Sequence, residues 1–390
     1  MRRLCCLLAF CCLLALPALV WGVEELPLPQ PERTLEEELA LALSGYDWSA
    51  WQQSYQNLPA QVRDLWGYEN VTDMVRAYAM GKASLAEGLL AGLGAAALAA
   101  FKESMLALTA IMAVALLTGM MDVILDEGKE GVREIASFLC YSVCVLLLSG
   151  IMAQQLQLSA GAIADICGAL ELAGPVLIML LAAVGATTSA GMAQPLFVFL
   201  SGAIAGLFRT ALLPAVMSAG VLSIVGGLTG RKQMEQVTGL IKSGVKWVTG
   251  GISTIFLGSM TLRGMSAAGV DSVSIKTMKY ALDKSLPLVG GVVAGSLESV
   301  RGCTLLIKNA AGIASVLLAL GMVLIPLMRL AAMSLAFKAT AAVCAQVSDV
   351  RMPKLLTDMA DICRYMFACV AVVALMFVLT IGLVMAMGGV

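Results

Sequence analysis

The sequence predicts an all-α, polytopic integral membrane bundle, and three observations carry that prediction. Hydrophobic residues make up 60% of the chain and charged residues 13%, with a mean hydropathy of +0.91; a typical soluble domain is about a quarter charged. Most of residues 104–390 falls into uncharged runs close to the ~20 residues a helix needs to cross the hydrocarbon. The N-terminus carries the pattern of a secretory signal.

That signal consists of Arg2 and Arg3, an apolar run over 4–20, and small residues near Trp21-Gly22. Removal of 1–22 after Gly22 is expected. Cys5, Cys6, Cys11 and Cys12 also admit a lipoprotein signal, although Phe10 is a poor residue to precede a lipidated cysteine.

Residues 23–103 follow, with 12 acidic and 5 basic side chains and with Trp48, Trp51 and Trp66. Translocated loops avoid Lys and Arg, so this acidic segment is expected outside the cytoplasm. Leu26-Pro27-Leu28-Pro29-Gln30-Pro31 reads as an extended linker, because each proline disfavours helix in the residue before it. Short helices are expected at 34–43 and 61–80, with Leu58-Pro59 breaking the chain between them.

The first bundle is predicted over 104–230, in about five spans. Runs 104–121 and 135–153 flank a loop holding Asp122, Asp126, Glu127, Lys129, Glu130, Arg133 and Glu134. Residues 172–208 are uncharged throughout and long enough for two short spans, with a break expected at Gln194-Pro195; 211–230 completes the set. Later spans are expected at 310–328, 330–347 and 366–388 within a C-terminal region 309–390. The total is about six to eight crossings.

Between the two bundles, residues 231–308 carry ten basic side chains against four acidic ones. Under the positive-inside rule this is an inner-side segment. Met234, Val237, Ile241, Val245 and Val248 recur at helical spacing while Glu235, Lys242 and Lys246 fall on another face, the pattern of a helix lying in the membrane surface. Ile275, Met278, Leu282 and Leu286 repeat it, opposed by Lys276, Lys279 and Asp283. Residues 250–264 between them are glycine-rich and short, which suits a re-entrant segment.

Enzyme chemistry is not expected. The chain has no histidine, which removes His-dependent triads, His-ligated zinc and His proton relays together. The seven cysteines after the signal, Cys140, Cys144, Cys167, Cys303, Cys344, Cys363 and Cys369, sit mostly in apolar runs and behave there as small hydrophobes. They have neither metal-ligand nor redox spacing, so no metal or cofactor is expected. A Walker-type phosphate loop is absent too, and any energy coupling would come from another subunit. No nucleic-acid partner is expected; the lipid bilayer is.

Charges inside apolar runs default to a functional hypothesis, since each is costly at a helix centre. Asp165, Glu171, Arg209, Lys308, Arg329 and Lys338 are the candidates. Most of them also suit helix ends, where long side chains reach the interface; Lys338 has apolar neighbours on both sides. Gly174-Pro175, Gly191, Pro195, Gly202, Gly206 and Pro214 admit either broken helices around a substrate or close helix packing. A solute permease with Asp165, Arg209 and Lys338 near its path is therefore an alternative reading.

Two patches carry a family resemblance: Lys284-Ser285-Leu286-Pro287-Leu288-Val289-Gly290-Gly291, and Leu305-Leu306-Ile307-Lys308-Asn309-Ala310-Ala311-Gly312-Ile313. With the signal segment and the apolar C-terminal half, they resemble the stage III sporulation protein AE family of endospore-forming bacteria over most of 80–390. The resemblance implies a multi-pass protein made in the mother cell and placed in the membrane around the forespore. It implies membership of a transenvelope, secretion-like channel complex that supports late forespore development. Its partners would be other stage III A proteins, among them a secretion-type ATPase, and a forespore-side protein. On this reading Pro287, Gly290 and Gly291 form a bend leading into the membrane, and Lys308-Asn309, with Gly312 following, mark the start of the next span. Lys242, Lys246, Lys276, Lys279 and Lys284 are then the candidate docking surface.

Overall fold

The computed structural model describes residues 43–82, 89–124, 130–229, 232–285, 290–346 and 351–387. The signal segment, the proline linker, nearly all of the helix expected at 34–43, and the bend at Pro287 lie outside them. The described residues are helical almost throughout, with turns inside the head and at 184–186.

A small head comes first, built from α1 (Ser49–Gln56), α2 (Ala60–Trp66) and α3 (Val71–Ala79). One helix was expected over 61–80; two form, because Gly67 ends α2 at φ +71°, a left-handed conformation that glycine adopts without a Cβ penalty. Gln52 of α1 then caps α3, its Oε1 accepting the Val71 N–H at 2.8 Å. Trp48, Trp51, Tyr55, Val62, Trp66, Met74 and Val75 form the head's buried core. Trp48 and Trp51 pack edge to face at 5.4 Å.

Long helices make up the rest: α4 (Leu89–Ile124), α5 (Glu130–Ala183), α6 (Thr187–Val198), α7 (Leu213–Thr229), α8 (Lys232–Ser285), α9 (Gly290–Cys344) and α10 (Arg351–Ala386). α6 runs into α7 through π-helical segments Phe199–Ile204 and Phe208–Leu212 and one α turn, Ala205–Leu207. α9 is central, packing on α3, α4, α5, α8 and α10.

Five stretches among the described residues are long and apolar enough to cross a membrane: Gly94–Leu117, Phe138–Ala183, Thr187–Gly227, Val300–Cys344 and Arg351–Ala386. Six to eight were expected, and the difference is that neighbouring expected spans fuse. Runs 135–153 and the first part of 172–208 belong to α5, and runs 310–328 and 330–347 both belong to α9. The 46 residues of Phe138–Ala183 rise about 69 Å, more than twice the ~30 Å of a bilayer's hydrocarbon.

Proline does not divide these helices. Pro175, Pro195 and Pro326 lie inside α5, α6 and α9. Each removes one N–H donor and crowds the carbonyl four residues back, a defect that helix packing and local π turns absorb in membrane bundles. The π segments here lie just after Pro195 and just before Pro214.

The break expected at Gln194-Pro195 falls instead at Gly185, where φ is +90°. The Ala186 N–H donates to the Leu181 carbonyl at 3.1 Å and the Gly185 N–H to that of Ala182 at 2.9 Å. That pair of bonds closes a helix on a left-handed residue.

Region 231–308 also departs from expectation. α8 is one continuous helix through Gly250 and Gly251, with neither a re-entrant turn nor a division into two surface helices. Glycine keeps its N–H and tolerates α geometry, so it weakens a helix without ending it. α8 runs along the bundle rather than flat across its end: Lys242 contacts Asp358 near the start of α10, whereas Asp271 contacts Thr188 at the start of α6. Its charges sit toward its two ends, with residues 247–262 uncharged between.

Candidate functional site

Three helix ends meet around a polar cavity of about 240 Å³. α7 contributes Leu222, Ser223, Gly226 and Gly227. The first turns of α8 contribute Glu235, Thr238, Gly239 and Lys242, and those of α10 contribute Arg351, Lys354, Leu355 and Asp358. The last two sets have the spacing i, i+3, i+4, i+7, which places four side chains on one helical face. Pro353 suits the start of α10, because proline in a first turn costs no intrahelical bond.

The three helices are tied across this cavity. Lys242 Nζ lies 3.1 Å from Asp358 Oδ1, with both side chains largely buried. Ser223 Oγ donates to the second Asp358 oxygen. Outside them, Lys354 pairs with Glu235, and the Tyr141 hydroxyl of α5 donates to the Ile224 carbonyl at 3.3 Å. A buried carboxylate is tolerated only when its oxygens are matched by donors, and Asp358 has one on each. Glycine provides the room: a Cβ at Gly227 would run into the Tyr141 hydroxyl, and one at Gly226 would sit 3.2 Å from Met234 Cβ.

At the opposite end, the α5–α6 break is held from outside by two charges. Arg301 of α9 donates from Nε to the Val184 carbonyl at 3.1 Å, where α5 ends. Asp271 of α8, 2% exposed, accepts the backbone N–H groups of Thr188 at 3.1 Å and Ser189 at 2.9 Å, where α6 begins. Each charge opposes the partial charge of its helix terminus. Burial raises the Asp271 pKa, but the donors from Ser189 and Thr188 outweigh it and hold the carboxyl below its ordinary value. Ser189 Oγ is buried there with no partner among the described residues.

The second sequence patch has an internal role. Lys308 is fully buried mid-helix in α9, and Nζ donates to the Met385 carbonyl at 3.0 Å and to that of Met387. It therefore caps the C-terminus of α10, where the partial charge is negative. Gly312, one turn on, is the close-packing point: a Cβ there would meet Met385 Sδ at 2.6 Å. Asn309 is half-buried, with an Oδ1 that lacks a partner among the described residues. The helix that carries Lys308-Asn309 begins earlier, at Gly290-Gly291.

The remaining candidates separate. Lys242 is occupied by Asp358, whereas Lys246 one turn on is exposed. Lys276, Lys279 and Lys284 lie on the last turns of α8. Asp165, Arg209 and Lys338 are exposed on three different helical segments, and none lines the cavity. Glu171 and Arg329 are exposed as well, Arg329 lying 3.5 Å from Glu103 of α4. Sequence reasoning missed Ser223, Asp271, Arg301 and Asp358. Asp358 had a legible signal as an acid seven residues after Arg351 on one helical face; Ser223 had none.

Comparison with known proteins bears on residues 70–388, which match the family model described as Stage III sporulation protein AE. A curated relative, "Stage III sporulation protein AE" of Bacillus subtilis (strain 168), is 25% identical over 260 residues, covering 67% of this chain and 65% of the relative. The matched region thus spans just under two thirds of that relative's own length. No solved structure matches.

Proposed function

This chain belongs to the Stage III sporulation protein AE family, and from that premise we propose that it is a membrane subunit of the transenvelope, secretion-like channel complex joining mother cell and forespore. Its place is then the mother-cell-derived membrane around the forespore, after removal of the N-terminal signal. Its partners are the other stage III A proteins, a secretion-type ATPase among them, and a forespore-side protein. The observation that carries the reading is that the family match covers all five long apolar helices. Asp165, Arg209 and Lys338 do not converge, so no observation favours a solute path through them.

Within this reading the protein contributes a platform rather than chemistry. The exposed Lys246, with Lys276, Lys279 and Lys284, docks neighbouring subunits, while Lys242 is taken up internally by Asp358.

The test is an affinity pull-down of the tagged chain from mildly solubilised membranes of sporulating cells, with all co-purifying proteins identified. Recovery of the ATPase and other stage III A proteins is expected. Recovery of the chain alone, under conditions that preserve other membrane complexes, overturns the reading. Charge reversal at Lys246, Lys276 and Lys279 together is expected to reduce recovery, and undiminished recovery removes these residues from the docking surface.

A further inference from the structure

The cavity between α7, α8 and α10 is graded from a closed floor to an open mouth. Lys242 and Asp358 lie at the floor with Ser223, their side chains 15% and 27% exposed. Lys354 and Glu235 lie at the mouth, 53% and 56% exposed, beside the exposed Arg351. Among the described residues the lining holds three basic side chains against two acidic ones, which leaves one positive charge. Both carboxylates are already matched, Asp358 by Lys242 and Ser223, and Glu235 by Lys354. An ammonium carries three donors, and in each lysine the carboxylate takes one. The cavity therefore has cationic donors to give and no uncompensated anion.

Its level in the bundle says what meets it. The apolar stretch Thr187–Gly227 ends at the cavity and Arg351–Ala386 begins there, and Gly227 and Arg351 both line it. That is where hydrocarbon gives way to water, the level of phospholipid phosphates. Apolar surface reaches the wall as well, because the exposed Val221 and Val225 of α7 adjoin Leu222 and Gly226. The mouth is open: a Cβ at Gly239, which lines it, would meet nothing within 4 Å. A volume of about 240 Å³ is below the ~300–1,000 Å³ of sites for drug-sized ligands and suits a single head group.

We propose that this cavity binds the head group of an anionic phospholipid, a glycerol phosphodiester with one negative charge and free hydroxyls. One net positive charge balances a phosphodiester. A dianionic phosphate would carry an excess charge past two carboxylates. The phosphate lies at the mouth against Arg351 and Lys354, where charged donors make the stronger class of hydrogen bond. The terminal glycerol enters first, and its hydroxyls donate to lone pairs that Asp358 retains after Lys242 and Ser223. A choline head has no hydroxyl to donate and would bring its cation among three basic side chains. Basic pockets between membrane helices hold anionic head groups elsewhere, and here the acyl chains run into the hydrocarbon along α7. The inference goes beyond the complex-subunit reading and does not rest on it.

Lipid retention by the full chain tests it. The protein is stripped of lipid in detergent and given phosphatidylglycerol, phosphatidylcholine or free glycerol phosphate, and the ligand kept per chain is read by native mass spectrometry. One phosphatidylglycerol per chain is expected, with phosphatidylcholine held about tenfold more weakly. Arg351→Gln with Lys354→Gln should weaken phosphatidylglycerol binding about tenfold or more. Gly239→Leu keeps every charge but fills the mouth, and should weaken it too. Lys338→Gln, exposed on α9 and outside the lining, should not. Gly239, Arg351 and Lys354 are all exposed, so unfolding midpoints without lipid should match the unsubstituted chain. Added phosphatidylglycerol should raise the midpoint of that chain and not of the two cavity variants. Equal retention of the two lipids, full binding by Gly239→Leu, or an equal loss in Lys338→Gln overturns the proposal. Retention of glycerol phosphate without phosphatidylglycerol overturns the lipid assignment and leaves a site for a soluble phosphate.

Discussion

Lys308 Nζ donates to the main-chain carbonyl of Met385 at 3.0 Å, joining the middle of one long helix to the end of the next. The last carbonyls of a helix have no intrahelical donor, and Met385 and Met387 lie where water would otherwise be needed. A lysine at a helix end reaching solvent would be replaceable by an apolar residue of similar length. Lys308→Met is therefore informative: it should destabilise the protein by about 1–3 kcal/mol, the cost of leaving buried carbonyls without a donor. Thermal unfolding in detergent checks this, and an unchanged midpoint removes the capping role. Gly312→Leu should cost a similar amount, about 1–3 kcal/mol, by overpacking against Met385.

Asp271 predicts a pH dependence. Its pKa is lowered in the folded protein, so its stabilising contribution is fully present above the unfolded-state value near ~3.9. That contribution is lost as pH falls through the folded value, and the sensitive window lies below about pH 4. Asp271→Asn should cost about 1 kcal/mol at neutral pH, the scale of a lost helix N-cap. Unfolding profiles of the two proteins should converge in acid; a gap that is constant down to pH 2 contradicts this account.

Membrane class and helical content were legible because composition alone forbids a soluble core, and the runs at 104–121 and 366–388 lie within α4 and α10 nearly as read. Span boundaries were less so. A chain reading weighs Gln194-Pro195 as a break because proline removes a donor, but the surrounding helices settle whether the gap is tolerated. Gly185 looks like any other glycine in a run rich in them, and only the Arg301 and Asp271 side chains mark it as the corner, bonded to Val184 across 117 residues and to Thr188 and Ser189 across 83 and 82. The same distance hid the candidate site. Lys242 was visible as a charge on an amphipathic face, but its partner Asp358 is 116 residues on.

The Lys242–Asp358 pair should behave as a coupled unit. Lys242→Met leaves a largely buried carboxylate with Ser223 as its remaining donor and should cost about 1–3 kcal/mol. The double substitution Lys242→Met with Asp358→Leu should recover most of that loss, because removing both partners of a buried pair is often neutral. Unfolding midpoints of the single and double variants form the cycle. Additive losses mean that the two residues act independently and that the pair does not fasten α8 to α10.

Gly321 seats the head on the bundle: a Cβ there would lie 3.0 Å from Val62 Cγ1 and 3.2 Å from Leu58 Cδ1 and Trp66 Nε1. None of these atoms is backbone, but all belong to a buried cluster with little freedom to yield. Gly321→Leu should therefore displace the head while α9 stays helical, since leucine is the better helix former. The expected result is faster proteolytic cleavage within residues 43–82, with the unfolding midpoint of the long-helix bundle unchanged. The direction follows from where the strain goes: α9 is fixed by α4, α5 and α10, whereas the head has its main contact with the long helices along this one. Unchanged proteolysis would mean that the head rests on contacts other than Gly321.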